Sequence, residues 1–183
     1  MRIAMHQPYL FPYRGYFDLI ASVDKFVFYD DAKFMKGKFI NRNYFPDLFT
    51  FRLKKHSDFA KINQCYFFNI EDDKKRFLKT TKLKAEKYLK PLRQEDDLSI
   101  NIRNATRLIC QDLGITTPLY LSSSFSHGKG VQGILDIVRA LKGNTYVNLP
   151  GGKDLYSQDM FGDIKLEFLE TKIGPSILYE ECL

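Results

Sequence analysis

The chain has 183 residues, enough for one domain with a sizeable core and too few to expect two. Hydrophobic residues at 44% and charged ones at 27% exclude a largely disordered chain, and no apolar run approaches the roughly 20 residues that span a bilayer. The net charge of +6 admits anionic partners and is concentrated in residues 72–94, "DDKKRFLKTTKLKAEKYLKPLRQ". A solvated face of a lysine-rich helix explains that run more simply than nucleic-acid binding, because no RNA-recognition, zinc-finger or glycine-clamp consensus accompanies it. The first ten residues, "MRIAMHQPYL", lack the apolar stretch and cleavage site of a secretion signal. Cys65, Cys110 and Cys182 are odd in number and form no CxxC pair, so a reducing cytoplasm is the expected compartment.

In chain order, residues 2–7 ("RIAMHQ") read as a short buried strand stopped by Pro8, which has no N–H to give a sheet. Tyr16, Phe17, Leu19, Ile20 and Val23 recur at helical spacing after Pro12, which suits a first helical turn. "KFVFYD" (25–30) is then a second buried strand, completing a βαβ unit whose strands lie parallel. Residues 48–55 and 64–70 alternate like strands of a hairpin or an edge extension. Residues 72–89 read as one helix ending before Pro91. Leu98, Ile102, Ala105, Ile109 and Leu113 form a further helical stripe, with Asp96 and Asp97 at its start and Gly114 at its end. A strand over 118–124 opens into "SSSFSHGKG", and a helix carrying Val131, Ile134, Leu135, Val138 and Leu141 runs to Gly143. "TYVNL", the loop "PGGKD", a short helix over 154–161 and the strand "IKLEFLE" complete the chain.

This alternation predicts an α/β fold, a single domain over residues 1–183, with a mainly parallel, Rossmann-like sheet flanked by helices and a small antiparallel extension in the middle. Such sheets bind ligands at the carboxyl ends of their strands. His6 and Gln7, Asp30 and Asp31, residues 122–127 and residues 148–153 should therefore meet along one rim.

His6 at a strand end could serve as a general base, or bind phosphate when protonated, although histidines at strand ends are often structural. Pro8 and Pro12 stiffen "PYLFP", and a stiff loop leading into a helix can offer backbone N–H groups to an anion; Gln7, Tyr9 and Tyr16 are substrate-contact candidates there. Asp30 and Asp31 are hard oxygen ligands able to accept sugar hydroxyls or hold a divalent metal such as Mg²⁺, yet they could equally be turn formers. No metal-ligand set is assigned and no cofactor is identified. "KGKFINRN" supplies Lys36, Lys38 and Arg42 for anions and Asn41 and Asn43 for directed hydrogen bonds, against an ordinary solvent loop. Ser123 and Lys129 lie in a glycine-containing loop before a helix that lacks P-loop spacing, and Gly151 and Gly152 either admit a ligand or make a turn. Neither GxSxG nor HExxH is present, which leaves serine hydrolases and zinc peptidases without support.

The runs "HQPYLFPYRGYFDLIASVDKFVFYDD", "KFMKGKFINRN", "LGITTPLYLSSS" and "ILDIVRALKGNTYVNLPGGKDLY" together resemble the WbqC-like family of bacterial proteins over nearly the whole chain. Phe77 departs from the tryptophan that relatives tend to carry in the lysine-rich helix, and the C-terminal end is short. Members occur with genes for surface polysaccharide or O-antigen synthesis, so the resemblance implies action on a nucleotide-activated sugar or related phosphorylated metabolite, with transfer of an acyl or aminoacyl group. The first βαβ unit is also loosely similar to the opening of nucleotidylyltransferases, although "PYRGY" is one residue short of their HxGH pattern. The expected protein is a transferase with a small phosphorylated or nucleotide-linked substrate, able to form a homo-oligomer. His6 and Asp30 are its catalytic candidates; a non-catalytic sugar-nucleotide or partner-binding module is the alternative.

Overall fold

A computed structural model describes residues 1–45, 47–171 and 173–181. β1 (Arg2–His6) buries Ile3, Ala4 and Met5, as a central strand covered on both faces requires. α1 (Arg14–Ala21) returns the chain to β2 (Lys25–Phe28), which pairs parallel with β1 from Ile3↔Lys25 to His6↔Phe28. β3 (Arg42–Tyr44) and β4 (Leu48–Thr50) form a separate antiparallel pair. α2 (Ile70–Thr81), α3 (Glu86–Leu89) and α4 (Leu98–Asp112) precede β5 (Leu119–Leu121); α5 (Gly130–Ala140) crosses to β6 (Thr145–Asn148). β7 (Lys165–Phe168) and α6 (Ile177–Glu181) follow.

The parallel sheet runs β5-β2-β1-β6-β7. The chain builds outward from β1 on one side, then α5 carries it back past β1 to build the other, so the order reverses between β1 and β6. Alternate residues of the strands face opposite layers. Ala4, Phe26 and Phe28 pack with α1 and α4, whereas Ile3, Met5 and Val27 pack under α5 with Ile134, Val138 and Leu141. Gly143 closes α5 with its N–H on the Val138 carbonyl; a Cβ there would lie 2.5 Å from Ile3 Cγ1, so only glycine lets the chain pass so close to β1.

Several local expectations change. Arg42 and Asn43 of "NRN" lie in β3, not in a loop, with Asn41 just before it, while the run 48–55 keeps strand structure only over β4. Residues 52–54 and 66–68 do lie side by side, through the Leu53↔Phe67 bridge and the Phe68 N–H on the Arg52 carbonyl, but extend no further because Ile62–Gln64 turn as a 3₁₀ helix. The helix expected over 72–89 is two helices. Its buried stripe, Ile70, Asp73 and Phe77, meets only threonines one turn on, and Lys82 ends α2 in the left-handed region at φ 58°. Residues 154–161 contain no α-helix: Phe161 is their one fully buried apolar side chain, and the chain makes 3₁₀ turns at Pro150–Gly152 and Gln158–Met160. α6 has no helical period in its sequence that would mark it.

Cys65 and Cys110 are free and buried, which pushes their thiols up to about 11 and about 12; Cys182 lies outside the described residues. No helix among the described residues is long and apolar enough to cross a membrane. In the lysine-rich segment, Lys74, Arg76 and Lys87 are taken up by Glu71, Asp73 and Asp112.

An aromatic nucleus joins the hairpin to α2. The Phe77 ring lies 4.9 Å from Phe45, 5.1 Å from Phe49 and 5.6 Å from Phe51, and all four are buried. Phe77→Ala should therefore cost about 3–5 kcal/mol in a urea titration, and a change within error would show that the hairpin closes without it.

Candidate active site at the carboxyl edge of the sheet

β1 ends on His6, and the order of the strands reverses beside it, the place where parallel α/β sheets leave a crevice. The imidazole is half-buried, with Nδ1 3.1 Å from the Gln7 carbonyl and edge-on ring contacts to Tyr9 at 5.1 Å and Tyr16 at 5.2 Å. A carbonyl can only accept, so Nδ1 carries the proton and Nε2 presents a lone pair. Nε2 has no hydrogen-bond partner among the described residues. Burial lowers the His6 pKa from 6.5 and outweighs the Gln7 hydrogen bond, which acts the other way, so the ring is neutral at pH 7. Tyr16 is fully buried and donates to the same Gln7 carbonyl at 2.9 Å; burial, with the neighbouring Tyr9 and Tyr13 phenols, holds its own pKa well above 10. Tyr9 is half-buried, and burial raises its pKa too, so its hydroxyl stays protonated.

The loop after His6 is held by force. Phe11 has φ 54°, a left-handed conformation that Cβ sterics disfavour by roughly 1–2 kcal/mol. Its carbonyl accepts from Asn43 Nδ2 at 2.8 Å and from Ser176 Oγ at 2.6 Å, both buried, while the Ile177 N–H bonds the Pro12 carbonyl. Asn43 Oδ1 also accepts from the Tyr44 N–H. Asn41 is tied by Nδ2 to the Phe51 carbonyl at 2.7 Å.

A second cluster forms where β2 and β5 end. Asp30 is fully buried and accepts from the Ser123 N–H at 2.9 Å, Ser123 Oγ at 2.6 Å, Asn63 Nδ2 at 3.1 Å and Ser122 Oγ at 3.0 Å. Ser122 Oγ has one proton and also touches Asp31, so the two carboxylates share it. Asp31 faces His127 Nε2 at 3.1 Å and Lys61 Nζ at 3.9 Å. His127 Nδ1 lies 2.8 Å from the Gly128 carbonyl, so both of its ring nitrogens face oxygens, unlike those of His6. Tyr29 stands between the clusters: its N–H bonds the His6 carbonyl at 2.8 Å and its ring lies 6.3 Å from that of His127. Among the described residues, no three His, Cys, Asp or Glu side chains converge as a metal site.

α5 opens beside this cluster on "GKGVQG", residues 128–133, whose glycines have the GxGxxG spacing of dinucleotide-binding turns. A Cβ on Gly133 would lie 2.4 Å from the Gly128 carbonyl oxygen, so the third glycine lets the loop fold onto the helix. Gly128 donates to Asp136 at 2.8 Å, and this hydrogen bond holds the Asp136 carboxyl below its usual range. Lys129 is exposed. The strand after this helix ends on Asn148, where the dinucleotide fingerprint places an acid.

The structure thus gathers His6, Gln7, Tyr9 and Tyr16 in one group, with Asn43 bracing it through Phe11, and Asp30, Asp31 and Ser123 in another. Gly151 and Gly152 follow β6, where Gly152 packs against Asn148. Lys36 is exposed, and Arg42, on the hairpin, donates to the Gly37 carbonyl at 2.5 Å and has a buried Nε without a partner among the described residues. Ser122 and His127 bound the 122–127 stretch expected at the rim, whereas Asn63, Lys61 and Ser176 complete the site without a signal in the sequence.

Because the Asp30 oxygens are committed to four donors, Asp30→Ala should destabilise the fold by about 1–3 kcal/mol in urea, leaving the buried Ser122 hydroxyl to Asp31 alone and releasing Ser123 and Asn63 from the end of β2. Unchanged stability would show that Asp30 does not anchor the loop. Asn43→Ala should cost about 1–3 kcal/mol by the same measurement.

No solved structure matches the chain. A curated relative, "Uncharacterized protein Rv1507c" of Mycobacterium tuberculosis (strain ATCC 25618 / H37Rv), is 26% identical over 186 residues, covering 90% of this chain and 79% of its own. Residues 7–180 match the WbqC-like protein family, a span that begins one residue after His6, ends within α6 and contains the Asp30 cluster with Gln7, Tyr9 and Tyr16. The chain belongs to the WbqC-like protein family.

Proposed function

We propose that this protein is a cytoplasmic group transferase that binds a nucleotide-linked sugar, or a similar phosphorylated metabolite, along the carboxyl edge of its sheet and moves an acyl or aminoacyl group onto it. The observation that carries this reading is His6: a neutral imidazole whose Nδ1 proton is committed to a carbonyl and whose Nε2 lone pair has no partner among the described residues, at the point where the strand order reverses. In the reaction the amine or hydroxyl of the bound acceptor attacks the carbonyl of an acyl or aminoacyl donor and its proton passes to Nε2; collapse of the tetrahedral adduct breaks the bond to the donor's leaving group, which takes that proton back from the imidazolium. Tyr9, kept protonated, donates to negative charge that develops beside the ring.

The other roles follow from the hydrogen bonds. Lys129 and the glycine turn opening α5 take the phosphate, where backbone N–H groups and the helix dipole favour an anion. Gln7 orients the substrate. Asp30, Asn41, Asn43 and Tyr16 hold the surrounding loops rather than touch the substrate, since each is buried and bonded internally. Lys36 and Arg42 lie on the hairpin side and are left for the outer part of a longer ligand.

Thermal-shift titration with nucleotides and nucleotide sugars tests the binding half: a ligand at 100 times its dissociation constant should add about 2.7 kcal/mol. No shift with any of them at millimolar concentration would end the reading. With a turned-over pair in hand, His6→Ala should lower turnover by about 10²–10⁴ while ligand binding survives. Binding without turnover in the unaltered protein would instead favour a sugar-nucleotide-binding module.

The pH dependence has a definite sign. A base with a lowered pKa works in its neutral form, so turnover should rise with pH through a midpoint below 6.5 and be flat at neutrality. The same group stabilises the fold above 6.5, and that contribution fades as pH falls towards its depressed value, because the unfolded chain binds the proton first. A His6→Gln variant should therefore lose less melting temperature than the parent between neutrality and mild acid.

A further inference from the structure

The segment that supplies Asn63 and Lys61 to the site also exposes aromatic rings to solvent. Phe59 is 82% exposed, Phe68 61% and Tyr66 38%, whereas Phe67 between the last two is fully buried. This alternation arises because residues 52–54 and 66–68 pair as a short antiparallel ribbon, with Leu53 and Phe67 turned inward. Tyr66 and Phe68 therefore project from one face, two strand residues or roughly 6.6 Å apart. A cation accompanies each ring: Lys33 lies 5.0 Å from the centre of Phe59, Lys54 5.9 Å from that of Tyr66 and Arg52 6.0 Å from that of Phe68. Phe59 also borders a concavity of about 400 Å³ shared with Lys55, His56 and Gln64.

Large exposed rings on neighbouring segments, each with a cation beside it, need an explanation, because water-facing apolar side chains of this size mark interaction surfaces when they gather. The charges narrow the partner. Arg52 is neutralised by Asp72 and Asp73, but Lys33, Lys54 and Lys55 have no carboxylate partner among the described residues, and the loop 54–60 holds one acid, Asp58. A neutral glycan could stack on the rings yet would leave three ammonium groups without counter-charge. A base-and-phosphate repeat meets both requirements at once, with bases on the rings and phosphates on the lysines. Paired bases in a duplex offer no free faces, so the chemistry selects a single strand.

We infer that this ribbon, with the Phe59 loop, is a binding surface for single-stranded nucleic acid. It is distinct from the lysine-rich α2–α3 segment and independent of the His6 chemistry. It adjoins the site through Lys61, which reaches both Asp31 and the bridge to Lys33, so a bound strand would run past the carboxyl edge of the sheet.

Fluorescence anisotropy of the full chain with a labelled oligothymidylate of about twelve nucleotides tests this. Expected are saturable binding at about 50 mM salt, a log–log salt slope near −2 for three phosphate contacts, and weaker binding of the matching duplex. Phe59→Ala and Phe68→Ala should each weaken binding about fivefold or more, and the leucine versions should do the same because they keep apolar bulk without an aromatic face. Absence of saturable binding, equal affinity for duplex, or ring variants that bind like the parent while lysine variants do not would overturn the inference. So would capture of a neutral glucan, but not the oligonucleotide, by the same rings.

Discussion

The backbone of Phe11 is the constraint on which the candidate site depends. A left-handed conformation at a bulky aromatic residue is unfavourable by itself, and here two buried side chains, Asn43 from the hairpin and Ser176 from before α6, converge on its carbonyl to hold it. Three stretches distant in sequence are thereby locked together within a few residues of His6. The strain lies between β1 and α1, where the chain must turn from the sheet while keeping Tyr9 beside the imidazole and the Gln7 carbonyl in reach of both Nδ1 and the Tyr16 hydroxyl. Strain held in this way is characteristic of loops whose shape matters more than their stability.

That arrangement also accounts for what was legible in the sequence. The parallel sheet could be read because buried strands such as "RIAM" and "KFVF" are continuous apolar runs, and α4 and α5 because their stripes have a clear helical period and defined ends. The middle of the chain could not, because its core is aromatic. Phe45, Phe49, Phe51, Phe67 and Phe77 are buried by packing on one another, so the spacing between them reflects a three-dimensional cluster and not a strand or helix period. For the site, His6, Asp30 and Asp31 were visible as polar residues ending apolar runs. Asn63 and Ser176 were not, since a lone side chain that bonds a distant carboxylate or carbonyl leaves no local pattern.

The two polar clusters along the carboxyl edge differ in a way that assigns them different work. Around Asp30 the donors match the acceptors closely: each oxygen is met by groups from the β5 loop or the 62–64 turn, which fixes those segments to the end of β2. Asp31 and His127 repeat the pattern on the α5 side. A buried carboxylate with its lone pairs filled lowers the energy of one geometry and has little capacity left for a ligand.

His6 is the converse. One nitrogen is committed, the ring is kept neutral by its surroundings, and the other nitrogen is left with a lone pair. This open acceptor is not among the buried partnerless atoms of the described residues, so water or a ligand group can reach it, while the protein's own Tyr16 hydroxyl is already occupied by Gln7. The asymmetry between a saturated cluster and an open imidazole along the same edge is the physical basis for proposing a reactive role for His6 and a scaffolding role for Asp30. It follows from hydrogen-bond accounting alone and does not depend on the identity of any ligand.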